Sequence, residues 1–511
     1  MPKRRRRRRR RSRRTCDGNK HDVFGNAFYF SVLFSIILLF VVVTIFALAA
    51  GRVRDCWLKK SGKQIIMVIA SDVPSLLHLA AIFVAWVGKS AEASLASAWH
   101  FTDVHLDPIY VVNSSTDNFC NGNVTPNVSL QAPPFGASVG DCATPRALYK
   151  SAVQWMADQK PADFVLFTGD FTQAGLSSEE AVLGTIAEAT IDLKTSLPNA
   201  AILGAVGNHD SYPGDVFDYP FQKVYAHFAE LWSLDAVSQK TVLEGGYFSM
   251  RAAEEPPLQV ISLNTNYLAT LNPLVKNTSS AAYKFGFTMM DWFADELEKA
   301  DADGASIWVL GHIPGESWLP AHSLKYQKLI QAHENAIKGQ FFGHDHEDYT
   351  RLTRACNNDS MSCDGRPTGV VWIGPSLTEG FPAENPGIRL YEFDSANEYS
   401  IIDATTFTAD LIKSNEEGVI TWVKEYSTRE EYGLSDLSPD SWENWINGSL
   451  TSSQDAFARH VALRKRLYAG PPSRYDPPPC LQHDEACAQS MRCKLGFFDD
   501  AAAALCASSS S

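Results

Sequence analysis

At 511 residues the chain exceeds a minimal single core and suits one large domain with an appendage, or two domains, with room for a deep site that excludes water. Its 45% hydrophobic and 20% charged residues are those of an ordinary globular protein, which excludes wholesale disorder and a fibrous architecture. The net charge of -13 hides an asymmetry, because residues 3–14 are almost entirely basic and the remainder is acidic.

Residues 1–26 carry the basic run and read as a cytoplasmic tail. The apolar stretch that follows, 27–50, is long enough to cross a bilayer, and positive charge beside a span stays on the cytoplasmic side. An arginine run also attracts nucleic-acid phosphates. Its place before a span makes membrane topology or anionic lipid the simpler use, so nucleic acid is not an expected partner. Residues 51–97 form a linker with a second apolar stretch, 65–88, interrupted by Asp72, Pro74 and His78. Ala91-Glu92-Ala93 follows it in the form of a signal-peptidase site, so this stretch is either a further span or a processed segment.

Two features place the rest of the chain in a secretory, lysosomal or vacuolar lumen, or outside the cell. Sequons stand at Asn113, Asn123, Asn127, Asn277, Asn358 and Asn447. Cys120, Cys142, Cys356, Cys363, Cys480, Cys487, Cys493 and Cys506 form an even set suited to disulfides. The stretch 27–50 then serves as a signal anchor.

From about Ala98 short apolar strands alternate with amphipathic helical stretches, which reads as an α/β domain over 98–403. Strands are expected at 98–102, 164–168, 201–206, 259–264, 306–310, 339–342, 370–373 and 389–393. Helices are expected at 146–159, 178–195, 289–300 and 322–337. Near Ala404 the composition shifts toward helical segments rich in Trp, Tyr and Glu. Residues 404–511 therefore read as a smaller helical region, stapled at its end by Cys480, Cys487, Cys493 and Cys506, which can pair in three ways.

Five polar clusters fall at expected strand ends: Asp103-Val104-His105, Gly169-Asp170, Gly207-Asn208-His209-Asp210, Gly311-His312 and Gly343-His344-Asp345-His346. Sheets of this class place their ligands there. Singly, each cluster is an ordinary turn; five in series are not a chance collection. Imidazoles mixed with carboxylates suit zinc, iron or manganese, whereas an all-oxygen set would suit calcium or magnesium. On an extended segment Asp103 and His105, two apart, share one face, and so do His344 and His346. Asp170 has two oxygens with which to bridge two ions.

These blocks resemble the calcineurin-like metallophosphoesterase superfamily, whose signature is D-x-H, G-D, G-N-H-D/E, G-H and G-H-x-H. The resemblance implies a four-layer αββα sandwich and two divalent metal ions. The first would be held by Asp103, His105, Asp170 and His346, and the second by Asp170, Asn208, His312 and His344. It further implies in-line attack on phosphorus by a hydroxide between the ions, with His209 facing the substrate as the catalytic side chain.

The segment from Trp99 to Tyr110, the pair Cys120 and Cys142, the blocks 207–213 and 264–266, His312-Ile313-Pro314 and the final cysteine cluster resemble the acid sphingomyelinase-like phosphodiesterases over about 98–506. That resemblance favours zinc and a sphingomyelin-type phospholipid or nucleotide phosphoester as substrate. There are two departures. No saposin-like region precedes the domain, and Ala174 stands where many members carry a histidine that assists the leaving group. Vacuolar endopolyphosphatases, which cleave inorganic polyphosphate and are also anchored by an N-terminal span, supply an alternative. A membrane-tethered scaffold on an inactive fold is a third reading, opposed by the complete ligand set, since buried imidazoles without a metal are costly. Tyr110, Tyr212, Tyr267 and Trp318 lie near the motif blocks, either lining a cleft or packing in the core.

Overall fold

The first strand, β1 (Leu95–Phe101), owes its place to alternation. Trp99 and Phe101 turn to one face, against Trp155 and Tyr149 of the helix Arg146–Ala157, while His100 turns to the other, against Phe341 and Tyr391. This computed structural model describes residues 95–508 except 139, 221, 233, 358–361, 380–382, 397 and 473–484. Its further strands in chain order are β2 (Leu106–Asp107), β3 (Thr144–Pro145), β4 (Phe164–Phe167), β5 (Ala201–Gly204), β6 (Phe248–Glu254) and β7 (Pro257–Ser262). There follow β8 (Ser306–Leu310), β9 (Ile337–Phe342), β10 (Tyr349–Arg354), β11 (Pro367–Ile373), β12 (Gly387–Asp394), β13 (Ile401–Thr408) and β14 (Val423–Ser427).

Two six-stranded sheets result, in the orders β14-β13-β12-β1-β4-β5 and β10-β11-β9-β8-β7-β6. β1, β4 and β5 run parallel, as do β7, β8, β9 and β11. The sheets face each other through Trp308 of β8, which meets Phe164 of β4 and Phe393 of β12 edge-on, and through Phe341 of β9 against Tyr391 of β12. Each fully buried phenylalanine in such a layer contributes about 1.5–3 kcal/mol over exposure. The helix Arg146–Ala157, with Glu179–Ser196 beside it, lies on the outer face of the first sheet. Ala281–Ala302 and Pro320–Ala332 cover the second. The order of layers is helix, sheet, sheet, helix.

All eight expected strands are present. The expected helix 322–337 instead ends at Ala332, because Ile337 already pairs in β9 with Ile307 of β8. The helix expected at 289–300 begins earlier, at Ala281, where the Ser280 hydroxyl accepts from the Tyr283 amide as a cap. The division expected at 403/404 falls inside β13, which pairs with β12 from Gly387–Thr408 to Phe393–Ile401 and carries β14 on its far side. The β-branched Ile401, Ile402, Thr405, Thr406 and Thr408 favour a strand there, and the first sheet continues to Ser427. Beyond it the chain is helical in Thr428–Tyr432, Pro439–Asn447, Ser449–Ser452, Gln454–Arg464, Glu485–Gly496 and Asp500–Ser508.

Disulfides join Cys120 to Cys142, Cys356 to Cys363 and Cys493 to Cys506, and Cys487 is disulfide-bonded as well. Bonds of this kind persist in secreted or lumenal proteins. Asn113, Asn123, Asn127, Asn277 and Asn447 are all exposed. The expected tail and span, the second apolar stretch, Asn358 and Cys480 lie outside the described residues, among which no helix is long and apolar enough to cross a membrane.

Candidate metal centre

Parallel strands deliver the five polar clusters to one place. Asp103 and His105 follow β1, Asp170 follows β4, Asn208 and His209 follow β5, His312 follows β8, and His344 and His346 follow β9. The loops are sewn together by backbone hydrogen bonds from Asp103 N to Gly169 O and from His105 N to Asp170 O, each 3.0 Å. Close approach requires glycine. A Cβ on Gly169, at φ 100, would come 2.6 Å from Gly207 N, and one on Gly343 would come 2.4 Å from Asp103 Oδ2.

The backbone here departs from the extended geometry that the two-residue spacings suggest. Asp103, His105, Asp170, His344 and His346 have φ of 48, 44, 57, 73 and 65°, in the left-handed region. Each costs roughly 1–3 kcal/mol for a non-glycine residue, and such strain gathers at functional sites. Convergence comes from these turns and not from side chains sharing one face of a strand.

Two groups of donors form. Asp103 Oδ1 lies 3.9 Å from His105 Nε2 and 3.5 Å from His346 Nε2, and the two imidazole nitrogens are 3.1 Å apart. Asn208 Oδ1 lies 2.9 Å from both His312 Nε2 and His344 Nδ1. Asp170 stands between the groups, its Oδ2 3.4 Å from His105 Nε2 and 3.2 Å from His312 Nε2. Ligand atoms of Asp103, His105 and His346, of His105, Asp170 and His209, and of Asp170, His312 and His344 each fall within 4.8 Å of one another. Burial pushes His105 down to about 3, His344 to about 4 and His346 well below the usual histidine range, which keeps these imidazoles neutral, the form in which a histidine ligates. At His312 burial opposes protonation, yet the neighbouring Asp170 carboxylate lifts it to about 9.

The surroundings fix these groups. Thr102 Oγ1 donates to Asp103 Oδ2 at 2.7 Å, and the His344 amide donates to both Asp103 oxygens, at 3.0 and 2.9 Å. Asp215 accepts from Asn208 Nδ2 at 2.8 Å, which turns the amide oxygen toward the two histidines. His312 Nδ1 is 2.7 Å from Thr168 O, and the Asp210 carboxylate takes the amides of Gly207, Asp170 and Phe171. The family signature gives Asp210 no ligand role, although an aspartate inside an otherwise tight turn is a signal for such a cap.

His209 is half-buried, its amide donates to Asp170 Oδ1 at 2.8 Å, and its ring lies 5.1 Å from that of His105. Its Nδ1 has no hydrogen-bond partner among the described residues. The four aromatics separate. Tyr267 and Trp318 are core residues, satisfied by Asp218 O and Ile313 O, and Tyr110 is tied to Pro133 O at 2.7 Å. Tyr212 alone is largely open, at 45%. Ala174 is exposed in the loop after Asp170 and offers no imidazole.

The fold and the donor clusters define a metallophosphoesterase, a fold that implies divalent metals. The calcineurin-like phosphoesterase family matches residues 96–348, and the acid sphingomyelin phosphodiesterase C-terminal region matches 376–459. Acid sphingomyelinase-like phosphodiesterase 3b of Mus musculus is 30% identical over 404 residues, 74% of this chain and 83% of that protein. Sphingomyelin phosphodiesterase 1 of Caenorhabditis elegans is 30% identical over 77% of this chain and 69% of that protein, and cyclic GMP-AMP phosphodiesterase SMPDL3A of Rattus norvegicus 29% over 71% and 82%. The chain belongs to the acid sphingomyelinase-like phosphodiesterases, and it is a hydrolase of that family.

Proposed function

We propose that the chain hydrolyses phosphodiesters with two divalent cations. Asp103, His105, Asp170 and His346 would hold the first, and Asp170, Asn208, His312 and His344 the second. The observation that carries this is Asp170, whose Oδ2 is within 3.4 Å of a histidine from each donor group. The residues fit such ions: buried imidazoles, of which His105, His344 and His346 are held neutral, two carboxylates and an amide oxygen are donors suited to zinc, iron or manganese, and zinc is our choice. Bound cations would neutralise charge on phosphoryl oxygens and acidify a water.

The remaining work falls to side chains. His209, half-buried beside His105 and Asp170, faces the phosphoryl group and donates a proton to the leaving oxygen. Asp215 holds the Asn208 amide in its ligating sense, and Asp210 holds the Asp170 turn. Since Ala174 supplies no second imidazole, protonation of the leaving group rests on His209 alone in this reading. The substrate is a sphingomyelin-type phospholipid or a nucleotide phosphodiester, the two classes named among the relatives.

The test is a substrate panel with the purified, metal-loaded full chain: sphingomyelin, a cyclic dinucleotide, ATP and long-chain polyphosphate. Turnover of one of the first two supports the reading. Cleavage of polyphosphate alone would overturn the substrate class, and a chain with neither metal nor activity would be a scaffold.

Residues 1–26 as a cytoplasmic tail, 27–50 as anchor and the domain in a lumen or outside the cell complete the proposal, supported by the disulfides and by five exposed sequon asparagines. Protease protection in microsomes and a mobility shift on deglycosylation check it. An unglycosylated domain open to protease on the cytosolic side would overturn it.

A further inference from the structure

We propose that Arg466, in the helical C-terminal region, is a positioning residue for the loop that carries His346, and so for one of the two cations. The inference rests on the metal-binding reading above. Arg466 lies beyond both family matches, which end at 348 and 459. Its side chain is fully buried, where a lone guanidinium would be untenable, and it spends its donors on the edge of the metal centre. Nη1 donates to the His346 carbonyl at 2.9 Å. Nη2 donates to Ser376 Oγ at 3.2 Å and pairs with Glu384 Oε1 at 2.8 Å, and Nε donates to Asn385 O. Asn385 Nδ2 returns a bond to Arg466 O at 3.0 Å. Gly387 leaves room for the stem, since a Cβ there would sit 2.4 Å from Arg466 Cδ.

The His346 carbonyl also accepts from Ser376 N at 2.9 Å, so two donors fix the direction of this peptide. That matters because His346 sits at φ 65, a conformation it leaves unless held. Relaxation would carry Nε2 away from Asp103 Oδ1, now 3.5 Å distant, and dissolve the first donor group. The second group makes no direct bond to Arg466. Next along the loop Glu347 pairs with Arg464, so the same C-terminal stretch grips two consecutive residues. The planar fork meets acceptors in three directions, which a lysine ammonium on a flexible stem does not reproduce.

The experiment compares Arg466→Lys with Arg354→Lys in the full chain. Arg354 is a second buried arginine, which holds Gly496 O and Gly365 O and pairs with Glu443, away from the metal loop. Bound metal is counted by elemental analysis after dialysis, and affinity is read by titrating the stripped protein with cobalt and following its absorption. Arg466→Lys should hold one cation as the parent does and the other at least about 10-fold more weakly. Arg354→Lys should lose comparable thermal stability and keep both. Glu384→Gln keeps an acceptor but removes the charge that anchors the guanidinium. It should weaken the same cation to a smaller degree, and it decides the matter if Arg466→Lys does not fold. Parental affinity for both cations in the folded Arg466 or Glu384 variants overturns the role of Arg466. A parent chain that binds no cation overturns the reading of the site, and this inference with it.

Discussion

The Asp210 carboxylate holds the turn that presents Asp170: its Oδ2 accepts from the Asp170 amide at 3.0 Å and its Oδ1 from the Phe171 amide at 2.8 Å. One buried side chain from the loop after β5 thus sets the backbone of the loop after β4. In Asp210→Asn an NH2 group faces one of these donors and leaves a buried amide unsatisfied, at a cost of about 1–3 kcal/mol. Metal affinity should fall roughly 10–100-fold. Titration of the stripped variant checks this; parental affinity would show that the turn holds its shape without the carboxylate.

His209→Ala separates chemistry from metal binding. With the imidazole gone, turnover of an aryl phosphodiester should drop by about 10²–10⁴ while metal content stays at the parental value. A variant that turns over like the parent would falsify the assignment of His209 to the leaving group.

Asp170→Asn removes the charge shared by both donor groups, so both cations should be lost together instead of one at a time. Elemental analysis reads the count. Retention of a single cation would mean that Asp170 serves only one group.

Glu379 predicts the direction in which stability depends on pH. It is fully buried, accepting from the Ala137 amide at 2.9 Å, and burial, reinforced by Glu384, pushes its carboxyl from 4.5 up to about 8. Between these values the folded chain holds a proton that the unfolded chain has released. Its contribution is complete below about 4.5 and is lost as pH rises toward about 8. The melting temperature should therefore fall by a few degrees from pH 5 to pH 8 on account of this group, a slope that Glu379→Gln should flatten. Parallel profiles for parent and variant would exclude Glu379 as its source.

What the sequence discloses is the set of groups that must meet. Asp103, His105, Asp170, Asn208, His312, His344 and His346 each end or follow a parallel strand, and a short apolar run closed by glycine and a polar cluster is a local pattern. The turns that bring them together are not local. The left-handed φ of Asp103 follows from its amide reaching Gly169 O in another loop, and Arg466 acts on His346 from 120 positions away. β6, β10, β13 and β14 escape the sequence for a related reason. They run antiparallel at or near the sheet edges, end in no ligand cluster, and carry residues such as Arg351, Asp403 and Lys424 that look like surface. Arg351 is buried all the same, satisfied by ion pairs with Glu316 and Asp500.

The passage of β13 across residues 403 and 404 also bears on where the chain tolerates cutting. A chain ended after Asp403 would keep three residues of β13 and lose β14, leaving most of the eight-residue β12 as a bare rim. Its unpaired amides and carbonyls would recruit strands from other molecules. A piece trimmed to 95–403 would carry every proposed ligand and still precipitate, whereas one running from Leu95 through the last disulfide, Cys493–Cys506, would stay in solution.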